Sequence, residues 1–397
     1  MGAGGPGRGG LKNAGLRREG NLLPSIAKKS NASFLILSRP GNPESAQFPQ
    51  ILVAIRRRLG FNAPMSIEES EVSAHAGKVR QLLSALNEAI YGQETLVELV
   101  VTGLLARGHT LLEGLPGLGK TELVKALAKT LELENKRIQF TPDLLPGDIT
   151  GNPVLQETPN GREFVFQEGP IFANLVLADE INRASPKTQS ALLEAMQEQR
   201  VTVLGTTHAL PSPFFVLATQ NPIELEGTYP LPEAQLDRFL FKLEVRRNSV
   251  ATLQKIVLNR EIGVEPVVEK VLSREDLAGI TAAVRKIYLP EVVANYIARL
   301  VDATHGGTKA STAIKYGASP RAALALASAA KARALMQGRI NTSFEDVAAV
   351  ATPVLIHRII LQYEARIEGR SSGDVVAELL GEVPRQPLDL APTLKES

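Results

Sequence analysis

The sequence contains no cysteine, which excludes disulfides, thiolate metal sites and cysteine nucleophiles and makes a reducing compartment, the cytoplasm, the expected location. Histidine is scarce: five residues, scattered, with no pair at a metal-ligand spacing. No apolar run approaches the about 18 residues that a membrane span needs. Net charge is also small, +2 from 44 basic and 42 acidic residues. The balance is uneven along the chain. Residues 1–64 carry ten Lys or Arg against Glu19 and Glu44, and the rest carries 34 basic against 40 acidic residues, a net −6. A body with that charge does not suit a nucleic-acid motor with a dominant basic face, so no nucleic-acid partner is expected. What remains is ordinary: 44% hydrophobic and 22% charged residues, and at 397 residues enough chain for two domains.

The first 64 residues open MGAGGPGRGG and show no sustained period. Their acid-poor, Arg-rich composition fits a transit peptide, a basic arm or a disordered tail. They are expected to be a disordered or non-native extension, with Met65 as the natural start, because MSIEESEVSAHAGKVRQLL has an acidic, helix-ready look.

The chemistry begins at Gly114–Thr121, GLPGLGKT, which fits G-x-x-x-x-G-K-[ST]. A short apolar run, His109–Glu113, precedes it. Glu122–Leu133 follows, with Leu123, Leu127 and Leu131 at helical spacing. Strand, glycine loop and helix are the context in which this pattern binds a nucleoside triphosphate rather than forming a chance glycine-rich turn. Glycines turn backbone N–H groups inward, Lys120 reaches the β- and γ-phosphates, and the Thr121 hydroxyl is placed to ligate Mg²⁺.

Further along, helical and strand patterns alternate. Helices are expected at Val79–Ala89, Glu94–Ala106 and Lys187–Glu198. Strands are expected at Arg137–Phe140, Asn174–Ala178, Phe214–Ala218 and Leu240–Val245. Residues 142–153 read as a breaker-rich connector. Two hairpins are expected, one turning at Asn160-Gly161 between Val154–Glu157 and Glu163–Phe166, the other at Gly205 between Val201–Val203 and His208–Leu210. This alternation implies an α/β unit with a mostly parallel sheet flanked by helices. From about Asn248 the pattern is helical only: 250–262, 274–287, 290–303, 320–337 and 344–361, with a short coda at 374–384. The expected organisation is an extension at 1–64, an α/β domain at 65–247, an all-α domain at 248–384 and a tail at 385–397.

Three other segments carry candidate roles. The apolar strand Leu175–Ala178 ends in Asp179-Glu180. Beside a triphosphate, such an Asp holds the Mg²⁺ hydration shell and the Glu polarises the attacking water; alternatively the pair caps the next helix. Val216–Thr219 leads to Gln220-Asn221-Pro222, where Asn221 either orients the lytic water or simply favours the turn before proline. Within Leu231–Phe239, Arg238 stands at the end of a short helix. It is either a group that stabilises charge on a transferring phosphoryl or a surface cation at a helix end. At Gly317–Arg321, Ser319 reads as an N-cap and Pro320 as N1, so Arg321 at N2 opposes the helix dipole and calls for an anionic partner.

Taken in order, GLPGLGKT, FTPDLLPGDITG (140–151), ADEINRASPKTQSALLEAMQE (178–198), ATQNP, GTYPLPEAQLDRF (227–239) and GASPRA (317–322) resemble the MoxR family of AAA+ ATPases, helix-2-insert clade. The resemblance runs from about Val79 to Pro384, including VLIHRIIL (354–361), and leaves out residues 1–64. It implies an AAA+ P-loop domain with a helical lid, ATP and Mg²⁺ as cofactors, and hydrolysis of ATP to ADP and phosphate. Gly114, Leu115, Pro116, Gly117, Leu118, Gly119, Lys120 and Thr121 would form the Walker A loop with Glu122 beside it. Asp179 and Glu180 would be the Walker B pair, Thr121 and Asp179 the metal-side residues, Asn221 sensor 1, Arg238 an arginine finger and Arg321 sensor 2. Tyr91, Gly92 and Gln93 would lie against adenine. Tyr91 stands where an aliphatic residue is more usual, and Gly147 where Ser is. The resemblance further implies a homo-oligomeric ring, a hexamer, that remodels client proteins, often partners with von Willebrand factor A domains. A magnesium-chelatase-type motor subunit, a helicase relative or a weakly hydrolysing nucleotide-gated scaffold are the alternatives. The net charge disfavours the helicase. The intact Glu180, Asn221 and Arg238 disfavour the scaffold.

Overall fold

The apolar runs Leu111-Leu112, Leu175–Ala178 and Phe215–Ala218 form adjacent inner strands of a parallel sheet in the computed structural model, which describes residues 67–114, 117–158, 161–221, 228–261, 264 and 268–386. Two helices come first, α1 (Glu69–Ala89) and α2 (Glu94–Leu105). Then follow β1 (Thr110–Glu113), α3 (Lys120–Leu131), β2 (Asn135–Gln139), α4 (Pro146–Thr150), β3 (Gly151–Thr158), β4 (Gly161–Glu168), β5 (Leu175–Asp179), α5 (Pro186–Glu198), β6 (Arg200–Val203), β7 (Thr206–Ala209), β8 (Phe215–Gln220), α6 (Glu233–Leu236) and β9 (Phe241–Glu244).

The sheet order is β2-β5-β8-β1-β9, and every pairing is parallel. Alternate residues of each run enter opposite cores, which is why the runs are apolar throughout. Leu112, Leu175, Leu177 and Leu217 pack with α1, α2 and α3, whereas Leu111, Val176, Ala178, Val216 and Ala218 pack with α5. Both hairpins stand apart from the sheet as two-stranded antiparallel ladders, β3–β4 and β6–β7. Phe164 and Leu155 of the first are exposed. Of its turn, Asn160 lies outside the described residues. The supposed connector at 142–153 holds the short helix α4 and the start of β3. Gly147 closes on Asn152, whose Oδ1 would lie 2.2 Å from an added Cβ, so a side chain in place of Gly147 would collide there.

After β9 come α7 (Val250–Asn259), α8 (Arg274–Lys286), α9 (Glu291–Asp302), β10 (Ile314–Tyr316), α10 (Pro320–Met336), α11 (Phe344–Leu355), β11 (Ile360–Leu361), α12 (Tyr363–Ile367) and α13 (Ser372–Glu382). The helix expected to reach Leu361 stops at Leu355. The chain then turns into β11, which pairs antiparallel with β10, so this half is not purely helical. Serine starts most of the helices it precedes: Ser249, Ser273, Ser319, Ser343 and Ser371 each accept a hydrogen bond from a backbone N–H of the first turn, worth about 1 kcal/mol apiece. α10 is alanine-rich because it lies in the middle. It packs on α1, α2, α8, α9 and α11, with Ala322, Ala329, Ala330 and Ala334 fully buried. One apolar core therefore runs from the α1 side of the sheet into the helical half, past residue 247. Among the described residues no helix is long and apolar enough to cross a membrane.

Candidate nucleotide site

β5, β8 and β1 are parallel neighbours, so their C-terminal ends meet at one edge of the sheet, the place where open α/β sheets take their ligands. β1 delivers the glycine loop, β5 delivers Asp179 and Glu180, and β8 delivers Thr219, Gln220 and Asn221.

Within the loop Gly117 and Gly119 have φ of +81° and +82°, which a residue with a Cβ adopts only under strain. Gly119 leads directly into the N-terminus of α3, a favourable seat for an anion. Leu115 and Pro116 lie outside the described residues. The Gly114 N–H donates to the Gln220 carbonyl (3.2 Å), tying the loop to β8. Lys120 is buried, and its Nζ donates to the Gly114 carbonyl at 2.8 Å. Burial pushes the ammonium below the usual lysine range; Asp179 and Glu180 pull the other way. Thr121 and Glu122 are half-buried in the first turn of α3.

Asp179 is buried and fully engaged. Its Oδ2 accepts from Arg137 Nη2 (2.7 Å) and Nε (3.2 Å), and its Oδ1 from the Thr219 hydroxyl (2.6 Å). Glu180 has a left-handed backbone, φ 57° and ψ 49°, and its N–H donates to the same Thr219 hydroxyl at 2.9 Å. Gln139 Nε2 (2.8 Å) and Arg183 Nη1 (3.1 Å) both donate to Glu180 Oε2. Asn221 is buried, and its carbonyl accepts from Asn182 Nδ2 (3.3 Å). Arg137 and Gln139 had no sequence signal of their own beyond the alternation of polar residues along β2, and Thr219, at the end of apolar β8, had none.

A cavity of about 490 Å³ opens beside the loop. Tyr91, Gln93, Gly117, Leu118, Gly119 and Glu122 all line it, so six of the residues expected near a nucleotide share one space. Gly92 (φ +70°) instead abuts α7, where Thr252 would lie 2.6 Å from an added Cβ.

Arg238 and Arg321 are elsewhere. Both line a second cavity of about 450 Å³ together with Arg107, Arg358 and Asp237, and no loop residue lines it. Arg321 Nη1 lies 3.6 Å from Asp237 Oδ2, so a carboxylate supplies the anion that its helix position calls for. Ser319 joins in, donating to Asp237 Oδ2 (3.1 Å). Arg358 is buried and holds the 237–240 segment through Asp237 Oδ1 (2.8 Å) and the carbonyls of Asp237, Phe239 and Leu240. Burial lowers its guanidinium pKa and Asp237 raises it. Arg238 itself is exposed. Among the described residues no carboxylate pairs with it.

The chemistry assembled here is that of a triphosphate site: a glycine cradle at a helix N-terminus, a buried lysine, and two carboxylates at the end of β5, one strand removed from β1. Among the described residues no three His, Asp or Glu side chains gather around a metal site. One carboxylate plus a hydroxyl suits Mg²⁺, which relies on phosphate oxygens and water for the rest of its shell.

Comparison with known proteins agrees with the geometry. Residues 109–241 match the ATPase family associated with various cellular activities (AAA), and residues 307–379 match the AAA lid domain. The chain is 44% identical over 299 residues to the uncharacterized protein YeaC of Bacillus subtilis, covering 75% of this chain and 92% of that one. It is 40% identical over 327 residues to Chaperone MoxR1 of Mycobacterium tuberculosis, covering 81% and 86%. It is 31% identical to Protein MoxR of Paracoccus denitrificans, covering 76% and 94%. A crystal structure of a Cytophaga hutchinsonii protein superposes with a TM-score of 0.73 at 41% identity, covering 80% of this chain and 97% of that one. With the sheet, the glycine loop, the strand-end acids and the helical half all in the expected order, the chain belongs to the MoxR family of AAA ATPases.

Proposed function

We propose that this protein hydrolyses ATP to ADP and phosphate in a homo-oligomeric ring, and uses the turnover to remodel or activate client proteins. The observation that carries the proposal is that the glycine loop with Lys120, which follows β1, and Asp179 and Glu180, which end β5, stand at the same edge of the parallel sheet with β8 between them, and that the loop borders a 490 Å³ cavity. The glycine loop and Lys120 bind the phosphates. Thr121 and Asp179 hold Mg²⁺, which when bound neutralises charge on the β- and γ-phosphates. Asp179 reaches that role by sharing or releasing Arg137. Glu180 takes the proton of the attacking water, and leaves Gln139 and Arg183 to do so. Asn221 orients that water. Tyr91 and Gln93 border the base.

Arg238 is assigned to the nucleotide of a neighbouring subunit, because it is exposed and lines a cavity that this chain's own loop does not; Arg321, beside Asp237 in the same cavity, keeps the sensor 2 role that the resemblance implies. Each site then needs two chains, and hydrolysis depends on assembly. An arginine finger contributes on the order of 10³–10⁵ in rate elsewhere. The MoxR resemblance extends the proposal to a hexamer and to clients with von Willebrand factor A domains. The domain limits, 65–247 and 248–384, are proposed on the same basis.

The test is steady-state phosphate release with Mg²⁺ and ATP, comparing wild type with Glu180→Gln. The variant is expected to bind ATP as wild type does and to turn over at least about 100-fold more slowly. Equal, slow rates in both proteins would remove the ATPase reading. Turnover strongly stimulated by DNA, and lost as salt rises, would favour the helicase alternative.

A further inference from the structure

The wall of the 490 Å³ cavity that faces the loop comes from α7 and the residues on either side of it: Asn248, Ile256, Arg260, Glu261 and Val264. α7 is unusual among the helices, because none of its ten residues is buried. It stays in place through a few contacts with the turn between α1 and α2. Gln93 Nε2 donates to the Arg246 carbonyl (3.0 Å) and to Asn248 Oδ1 (3.1 Å). Gly92 meets Thr252 so closely that a Cβ would collide. At the far end Arg260 Nη2 donates to the Ala89 carbonyl (2.5 Å), while its guanidinium lies over the Tyr91 ring, 5.2 Å from the centroid.

We infer that Arg260 is a positioning residue for the base of the bound nucleotide: a latch that holds α7 against Tyr91 and so closes the base end of the cavity. Three observations support it. Arg260 lines the cavity and the cavity is still open, so the side chain forms the wall and does not fill the space. Both of its partners, Ala89 and Tyr91, line the same cavity. The lining there is apolar and aromatic, with Ile90, Tyr91, Leu118, Ile256 and Val264 contributing, which suits the flat face of a purine better than a phosphate or a sugar. A planar guanidinium can donate to a carbonyl in its plane while its face lies on an aromatic ring, a geometry that the compact ammonium of lysine reproduces only in part. Since no residue of α7 is fully buried, losing the latch costs the site its wall and the fold very little.

The inference rests on the proposal that the glycine loop binds a nucleoside triphosphate, and the experiment separates the two. Wild type, Arg260→Ala and Arg260→Lys are titrated with ATP and with inorganic tripolyphosphate, which has the phosphates and no base. Arg260→Ala is expected to bind ATP about tenfold more weakly, only a part of the worth of the cation–π contact and the hydrogen bond, because both exist within the chain with or without ATP. Tripolyphosphate binding should match wild type, Arg260→Lys should fall between the two for ATP, and the melting temperature should be unchanged. In hydrogen exchange, ATP should protect the amides of α7 in wild type and fail to do so in Arg260→Ala. Equal losses for ATP and tripolyphosphate, or no loss for either, would overturn the latch. Wild-type protein that binds neither compound would instead overturn the nucleotide reading itself.

Discussion

Thr219 holds the two acids in place, and replacing it with valine gives a stringent test of the site. Its hydroxyl donates to Asp179 Oδ1 at 2.6 Å and accepts from the Glu180 N–H at 2.9 Å, and the residue is completely buried. Valine has nearly the same shape, so packing changes little, but two polar groups lose a partner. The buried Glu180 N–H without an acceptor costs about 1–3 kcal/mol, and the bond to a charged carboxylate about 1.5–3 kcal/mol. Burying the additional methyl returns about 1 kcal/mol. The net loss expected is therefore about 1.5–5 kcal/mol, a large part of the about 5–15 kcal/mol that typically separates a folded domain from its unfolded chain. The left-handed backbone at Glu180 (φ 57°) is itself strained by about 1–3 kcal/mol, and the same hydroxyl is what holds it there. Thr219→Val should thus lower the urea midpoint without changing the m-value, and reduce kcat at least about tenfold while ATP affinity stays within about threefold. Thr219→Ser keeps both bonds and should recover the rate, losing only about 1 kcal/mol of stability for its missing methyl. Thr219→Val with unfolding within about 0.5 kcal/mol of wild type and an unchanged rate would refute the reasoning.

Arg238→Ala should leave ATP binding within about threefold and lower turnover by on the order of 10³, and mixing it with Glu180→Gln protein should restore part of the activity; no restoration in mixed rings would count against action on a neighbour. Gly151→Ala should destabilise the β3–β4 hairpin by more than about 2 kcal/mol, because its φ is +97° and an added Cβ would sit 2.3 Å from the Gln167 carbonyl; an unchanged melting temperature would contradict this. His109 is pushed down to about 4 by burial, with its bond to the Met196 carbonyl acting weakly the other way. The folded state therefore holds the neutral ring, so its contribution is complete above pH 6.5 and is lost as pH falls from 6.5 toward 4, about 3 kcal/mol in all. His357, also held neutral by burial, adds to the same slope. In urea unfolding at pH 7, 6 and 5, the stability gap between wild type and His109→Gln should narrow as pH falls; a gap independent of pH would refute it.

What was legible in the sequence is what local chemistry writes. The described part of the glycine loop, the acids at the end of β5 and the Ser319 N-cap are each specified within a few residues, and they stand where the spacing put them. The parallel sheet was legible too, because strands buried on both faces must be apolar throughout. Arg137, Gln139 and Thr219 were not legible as site residues, since they meet Asp179 and Glu180 only because β2 and β8 flank β5. Arg358 is similar: it is 121 residues from Asp237 in sequence, and only the packing of the segment after α11 against the end of α6 brings them together. β10 and β11 escaped notice for a different reason. At three and two residues they are too short to show a period, and the apolar content of Val354–Leu361 suits a helix equally well.

The topology also explains how events at the site would reach the two hairpins. β3–β4 is inserted between β2, which carries Arg137 and Gln139, and β5, which carries Asp179. β6–β7 lies between Glu180 and Thr219, with α5 on the way. Each hairpin thus lies in the chain between elements that carry site residues, and Phe166, Val201 and Val203 also anchor the pair to the core under α5. The two are also joined to each other: Phe166 of β4 stacks on His208 of β7 with ring centroids 4.1 Å apart, and Phe166 packs edge-on against Phe172. If Glu180 leaves Gln139 to face a water, the ends of β2 and β5 lose one of their cross-links. The shift passes into α4 and β3 on one side and α5 and β6 on the other. The Phe166–His208 stack requires the hairpins to move as a pair or to part, and either outcome changes the exposed surface that Phe164 and Leu155 present.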